Sequence, residues 1–281
     1  MQEMSDIMKE TKRIKMNAVQ IAAMVFGVLA AFFAIIAEWH PFLGTSYRIV
    51  NSYSLKYDVL MLPKTAVLIG MTLVVCAIAC VGFGRKSKGT GHILIGLAFL
   101  AFWVICKYSL RGQVDDYIFD GYKASYFEIL AAAFLMFGAG VLLRVSDRKE
   151  MPAWLLILTV FAMQWTAFMT FMPFGSQYYI DGPWGLFTLL GWMRCVILAI
   201  CLFEAGVLVA RDMRKDLLLL LGGVVILAMA FGSFLNEYYY FEDAQPGFYG
   251  LVIGGLLLIF AGIVLPGKLT KHSRQPEAVR E

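Results

Sequence analysis

Eight stretches of roughly 20 apolar residues run along the chain, separated by short polar segments. Each is long enough to cross a ~30 Å hydrocarbon core as an α-helix. None of them shows the period-two alternation of a barrel strand, and in lipid only helices or closed barrels pair every backbone amide. The pattern predicts spans over 17–38, 64–84, 91–110, 123–143, 152–173, 184–210, 216–236 and 247–266. Pro152 suits the first turn of the fifth, where its missing N–H costs nothing. The fold class expected is an all-α integral membrane protein, with eight transmembrane helices arranged as four helical hairpins.

This divides the chain into a basic N-terminal segment (1–16), a transmembrane domain (17–266) and a tail (267–281). The N-terminal segment places Met1, Met4, Ile7 and Met8 among Lys9, Lys12, Arg13 and Lys15. It reads equally as a short amphipathic surface helix or as a frayed basic tail. The first apolar run ends without a clean cleavage site, so it is expected to remain as a helix.

Composition sharpens this picture. Charged residues make up 16% of the chain, against about 25% in soluble domains. The net charge of +4 does not point to nucleic acid, because the basic residues cluster beside apolar runs. Arg85, Lys86 and Lys88 form one such turn, Arg144, Arg148 and Lys149 another, and Arg211, Arg214 and Lys215 a third. The tail adds Lys268, Lys271, Arg274 and Arg280. With the N-terminus inside, 17 of the 24 Lys and Arg residues lie on the inner side. The positive-inside rule therefore predicts an N-in, C-in topology in a cytoplasmic cell membrane.

The opposite loops carry aromatic and acidic residues. Asp115, Asp116, Asp120, Glu242 and Asp243 stand among Tyr117, Tyr122, Tyr126, Tyr178, Tyr179, Trp184, Tyr238 and Tyr249. Such rings favour the headgroup layer. They read as an interfacial belt or as a binding surface on the outer face.

Three even-numbered spans end alike, at Phe137-Gly-Ala-Gly-Val-Leu, Phe203-Glu-Ala-Gly-Val-Leu and Phe260-Ala-Gly-Ile-Val-Leu. A shift of 123 residues carries Asp120 to Asp243, Tyr126 to Tyr249 and Phe137 to Phe260. This suggests an internal repeat of a helical hairpin in parallel orientation. Chance recurrence of Phe, Gly, Ala, Val and Leu is the competing explanation. The small residues, including Gly250 and Gly254, suit close helix–helix approach.

Few residues are candidates for chemistry. Arg194 falls near the middle of the sixth span, where a cation must find a partner. Gln164 and Glu128 are the partners expected by depth, and Glu204 lies further along the same helix as Arg194. Together these form the candidate ligand-binding or structural polar cluster. Asp120, Tyr126, Asp243 and Tyr249 are the candidate outer-loop surface. The histidines His40, His92 and His272 are too scattered for a haem, and no His, Cys or carboxylate spacing suits zinc. The cysteines Cys76, Cys80, Cys106, Cys195 and Cys201 all fall within spans and predict no structural disulfide. No nucleotide-binding or hydrolase motif is present, so no metal, cofactor or catalytic residue is expected.

The function expected is that of a non-enzymatic accessory or assembly subunit, presenting its outer loops to a membrane-protein partner or to a second copy of itself. A small transporter or lipid-handling protein using Arg194 is one alternative, and a membrane enzyme acting on lipid is another.

Overall fold

The computed structural model describes residues 16–48, 55–60, 62, 64–83, 87–111, 119–147, 151–172, 189–210, 213–237 and 245–265. Of the N-terminal segment expected at 1–16 all but its last residue, together with the tail and Asp243, lie outside the described residues.

Eight helices form the body of the protein: α1 (Ala18–Ala37), α2 (Lys64–Phe83), α3 (Thr90–Arg111), α4 (Ala124–Val145), α5 (Ala153–Met169), α6 (Leu189–Val209), α7 (Lys215–Glu237) and α8 (Pro246–Val264). Seven are long and apolar enough to cross a membrane, and α5, with 17 residues, is a shorter apolar helix. Exposed Ile, Leu, Val and Phe side chains cover the outside of the bundle, among them Val28, Leu68, Ile105, Leu202, Val224 and Ile263. Such a surface is stable only against hydrocarbon, and the chain is a polytopic membrane protein.

The loops hold more structure than expected. Three short strands, β1 (Leu43–Arg48), β2 (Leu55–Leu60) and β3 (Phe119–Tyr122), make an antiparallel sheet in the order β2-β1-β3. Leu43 faces Leu60, and Arg48 faces Leu55. The polar stretch between the first two predicted spans reads as a connecting segment with no strands. Its alternation of Leu55, Tyr57 and Val59 with Lys56 and Asp58 is a strand signal that this reading passed over.

Local chemistry fixes the ends of the helices. Asn17 caps α1, its Oδ1 accepting from the Gln20 amide at 2.8 Å, while Gln20 Oε1 accepts from the Asn17 amide at 3.3 Å. Asn17 Nδ2 also donates to the Ser146 carbonyl, at the C-cap of α4, at 2.9 Å. At the opposite end Ser125 Oγ donates to the Ala37 carbonyl at 2.8 Å. The first and fourth helices are thus tied at both ends. Between the ties α1 buries Ala23, Gly27, Ala30, Ala31 and Ala34. Small residues let the backbones close up, which in lipid substitutes for a hydrophobic drive.

The closest pairings are α1 with α4, α7 with α8, and α3 with α4. Helices α1 to α4 pack in a ring, each on the next, closed by α1 on α4; α5 to α8 do the same, closed by α5 on α8. Helix α4 packs on α5 and joins the two rings. Two apolar cores follow this division. One is centred on Ala30, Phe99, Trp103, Leu130 and Met136. The other is centred on Leu155, Met163, Ile197, Ile226 and Leu258 and also takes in one end of α1 and of α4.

Helices α3 and α4 meet through glycine in the same way as α7 and α8. A Cβ on Gly96 would lie 2.8 Å from the Phe137 amide nitrogen and 2.9 Å from the Ala133 carbonyl oxygen. On Gly223 it would lie 2.9 Å from the Ile259 nitrogen and 2.6 Å from the Gly255 oxygen. Returning across the pair, a Cβ on Gly140 would meet Gly89 O at 2.7 Å and Ile93 N at 2.8 Å. On Gly262 it would meet Asp216 O and Leu220 N, both at 2.7 Å. Each glycine therefore sits on one backbone hydrogen bond of its neighbour, where no side chain fits.

Matched contacts of this kind fix a register. Gly96 and Gly223 stand 127 positions apart, whereas Gly140 and Gly262 stand 122 apart. The matched glycines of α4 and α8 stand one residue closer than the shift of 123 read from the sequence. A shift of 123 pairs Tyr126, 2% exposed, with Tyr249, 51% exposed, while a shift of 122 pairs Tyr126 with Phe248, also 2% exposed.

Candidate functional site

The most elaborate side-chain cluster lies beneath the sheet, where α1, α3 and α5 end and α4 begins. The Phe42 carbonyl accepts from the Lys123 amide at 3.0 Å, and the Pro41 carbonyl accepts from the Ser125 amide at 3.1 Å. These bonds fold the stretch after α1 over the start of α4. Tyr122, the last residue of β3, stacks on Tyr126 in the first turn of α4, with ring centroids 3.9 Å apart. Trp103 meets Tyr126 at 4.9 Å and Phe171 at 5.0 Å. Phe42 closes the group, 5.5 Å from Tyr126. The i, i+4 spacing of Trp103 and Lys107 puts both on one face of α3. The Lys107 ammonium stands over the Trp103 ring at 5.6 Å and the Tyr122 ring at 5.3 Å, within range of cation–π attraction.

Carboxyl groups rim this cluster. Glu128 Oε1 lies 2.7 Å from His40 Nδ1, and its Oε2 has no partner among the described residues. Glu38, at the C-cap of α1, lays its carboxyl on Gly70 of α2 with Oε2 unpaired among the described residues. The buried Trp103 Nε1 is a donor with no described partner. Free acceptors, a free donor and a held ammonium suit recognition of a polar group, whereas the buried rings mainly anchor the sheet. Tyr126, expected at the outer surface, is one of those anchors. Its position in the first turn of α4 turns it toward Trp103 and Phe42 instead of toward the headgroups.

The structure separates the four residues expected to form a polar cluster. Arg194 lies five residues into the described length of α6, nearer one end of the bundle than the expected mid-span position. Its Nε donates to the carbonyl of Thr170, the C-cap of α5, at 3.0 Å. Glu128 pairs with His40. Gln164 packs its stem on Gly138 of α4 and lines an apolar crevice. Glu204 is 0% exposed, lies against Gly222 of α7, and neither of its carboxyl oxygens has a partner among the described residues.

Of the expected outer surface, Asp120 belongs to β3 and Tyr249 is exposed beside Phe248. No three His, Cys, Asp or Glu among the described residues gather closely enough to hold a metal ion. All five cysteines are free, and Cys195 is exposed on the outside of the bundle. The sequence reading missed Glu38 and His40, which follow α1 and looked like loop. The Trp103–Lys107 spacing was the available signal. Comparisons with protein-family models, with curated proteins and with solved structures give no match.

Proposed function

We propose that the chain is a non-enzymatic membrane subunit built from a duplicated four-helix unit and associating with a further membrane helix through α2 and α6. Three glycines carry the reading. Gly82 of α2, Gly206 of α6 and Gly232 of α7 each have nothing among the described residues within 4 Å of the position a Cβ would take. A helix-interior glycine is less favourable than alanine by about 1 kcal/mol. Elsewhere in the bundle that cost is offset by close backbone contact, as at Gly96, Gly140, Gly223 and Gly262. At the three outward positions the same close approach is on offer to another helix. Helix α2 is also the least buried of the seven long spans.

The duplication rests on the matched glycine contacts and on burial. A shift of 136 residues carries Val19, Gln20, Ala23, Gly27, Ala30, Ala31 and Ala34 of α1 to buried positions of α5 and its C-cap. The 127-residue shift of α3 also carries Gly70, Val74 and Ala77 of α2 to the buried Ile197, Cys201 and Glu204 of α6. The unit is therefore four helices long, twice the hairpin suggested by sequence alone.

The association is tested by purification in mild detergent. The native chain is expected to hold a stoichiometric membrane-protein partner or a second copy. Replacing Gly82 and Gly206 together by Leu is expected to weaken that association roughly five- to 160-fold, the range that ~1–3 kcal/mol of overpacking at a close contact represents. A native chain that is a solitary monomer at all concentrations would refute the reading.

The orientation proposed is N-in and C-in in a cytoplasmic membrane, which puts the sheet and its aromatic cluster outside. An impermeant thiol reagent added to intact cells should label a Cys introduced at Asp116 and leave one introduced at Lys149 unlabelled. The reverse pattern would invert the topology.

A further inference from the structure

A crevice of about 90 Å³ opens between the two four-helix rings. Helices α3 and α4 form one wall and α5 and α6 the other. Leu97 and Leu202 stand at its edges, 45% and 56% exposed, so the mouth opens sideways to the hydrocarbon and not to water. The walls are apolar, with one amide among them, that of Gln164. Gln164 is 7% exposed, and its amide makes no hydrogen bond to any described residue. The threonines on either side of it in α5 are satisfied: Thr159 and Thr166 each donate to the carbonyl four residues back, at 2.7 Å. A buried amide without a partner is unfavourable by about 1–3 kcal/mol. Gly138 gives its stem the room to lie there, since a Cβ at that position would come within 2.9 Å of Gln164 Cγ.

We infer that this crevice is a binding site for a neutral, membrane-dissolved lipid whose carbonyl oxygen accepts a hydrogen bond from the Gln164 amide. This does not depend on the proposed partner association.

Depth selects the ligand class. Gln164 is three residues beyond the middle of α5, about 4.5 Å along the axis. Phospholipid esters lie at the edge of the hydrocarbon, about 15 Å from the midplane. Their carbonyls do not reach Gln164, and their tails offer it no acceptor. A charged headgroup would have to be desolvated on the way in, and the crevice holds no charge to meet it. An uncharged molecule with one ketone-type oxygen on an apolar body meets both requirements. The enclosed volume is smaller than the ~150 Å³ cavity that takes a benzene ring. It therefore accepts the carbonyl and the few carbons beside it, while the rest of the body lies along Leu97 and Leu202 in the bilayer.

The site can be read out by photolabelling of the full chain in phosphatidylcholine vesicles. Three diazirine probes are compared: a long-chain methyl ketone, the alkane of the same length, and a phosphatidylcholine tagged at the end of one tail. The ketone is expected to label peptides containing Leu97 and Leu202 roughly three- to thirtyfold more than the alkane, the range of a membrane hydrogen bond. Gln164→Leu should reduce ketone labelling to the level of the alkane. Leu202→Trp, at the exposed mouth, should abolish labelling by both, and it keeps the test decisive if Gln164→Leu does not fold. Equal labelling of the native chain by ketone and alkane, stronger labelling by the phosphatidylcholine probe, ketone labelling that stays above the alkane level in Gln164→Leu, or ketone labelling that survives Leu202→Trp overturns the inference.

Discussion

Gly223→Ala is expected to lower the melting temperature of the detergent-solubilised protein by several degrees, and Gly223→Leu to prevent folding. The added methyl group would sit 2.6 Å from the Gly255 carbonyl oxygen and 2.9 Å from the Ile259 nitrogen. Both atoms belong to a helix backbone that cannot rotate aside as a side chain can. Helix α7 must move off α8 along its length, and one of the closest pairings in the molecule loosens. Overpacking of this kind costs about 1–3 kcal/mol for one methyl group. At roughly 2–4 °C per kcal/mol for a chain of 150–250 residues, somewhat less for this one, Gly223→Ala should be plain in a thermal melt. Gly232→Ala on the same helix is the control. Nothing among the described residues lies within 4 Å of its Cβ position, and the melting temperature should not fall. Equal losses at the two positions would show that the close backbone approach at Gly223 is not what the substitution disturbs, since helix propensity alone favours alanine at both.

The second large effect joins Gly222 to Glu204. A Cβ on Gly222 would collide with the Glu204 carboxyl, which is fully buried and has no described partner. Gly222→Ala alone should therefore destabilise by about 1–3 kcal/mol. Glu204→Ala removes the colliding atoms along with an unpaired buried carboxyl, so its cavity cost is offset by the lost desolvation penalty. The double variant should be far more stable than the sum of the single losses, with a coupling of about 1–2 kcal/mol. Strict additivity in a double-mutant cycle would mean that the carboxyl turns away from Gly222 at no cost.

The helices were legible in the sequence because lipid allows so few alternatives. A run of 20 apolar residues has to be a helix, and its ends follow from the first basic or aromatic residues. Pairing was less legible. Helix α1 packs on α4 with a buried face made mostly of alanine, and alanine is common on any membrane helix. The proposed duplication does not show as one shift in the sequence, because the matched glycines of α3 and α7 stand 127 residues apart and those of α4 and α8 stand 122 apart. The polar residues were found, but their company was not. Depth alone placed Arg194, Gln164 and Glu128 near one another. Helix rotation sends Arg194 to the Thr170 carbonyl, Glu128 to His40 and Gln164 to a separate crevice. Rotation about the axis is set by which face packs, and the apolar faces of these helices differ too little for sequence to tell.

The ties between Asn17 and Ser146 and between Ser125 and Ala37 impose an order on biogenesis. The first helix leaves the ribosome with its alanine and glycine stripe facing no partner. More than a hundred residues must be translated before α4, which packs on it, is complete, and this takes about 5–20 s at ~5–20 residues per second. During that wait the nascent chain holds its earliest segment either in the insertion machinery or alone in lipid. Docking of the first four helices therefore trails synthesis of the first by that interval and follows directly on synthesis of the fourth, while the rest of the chain is still being made.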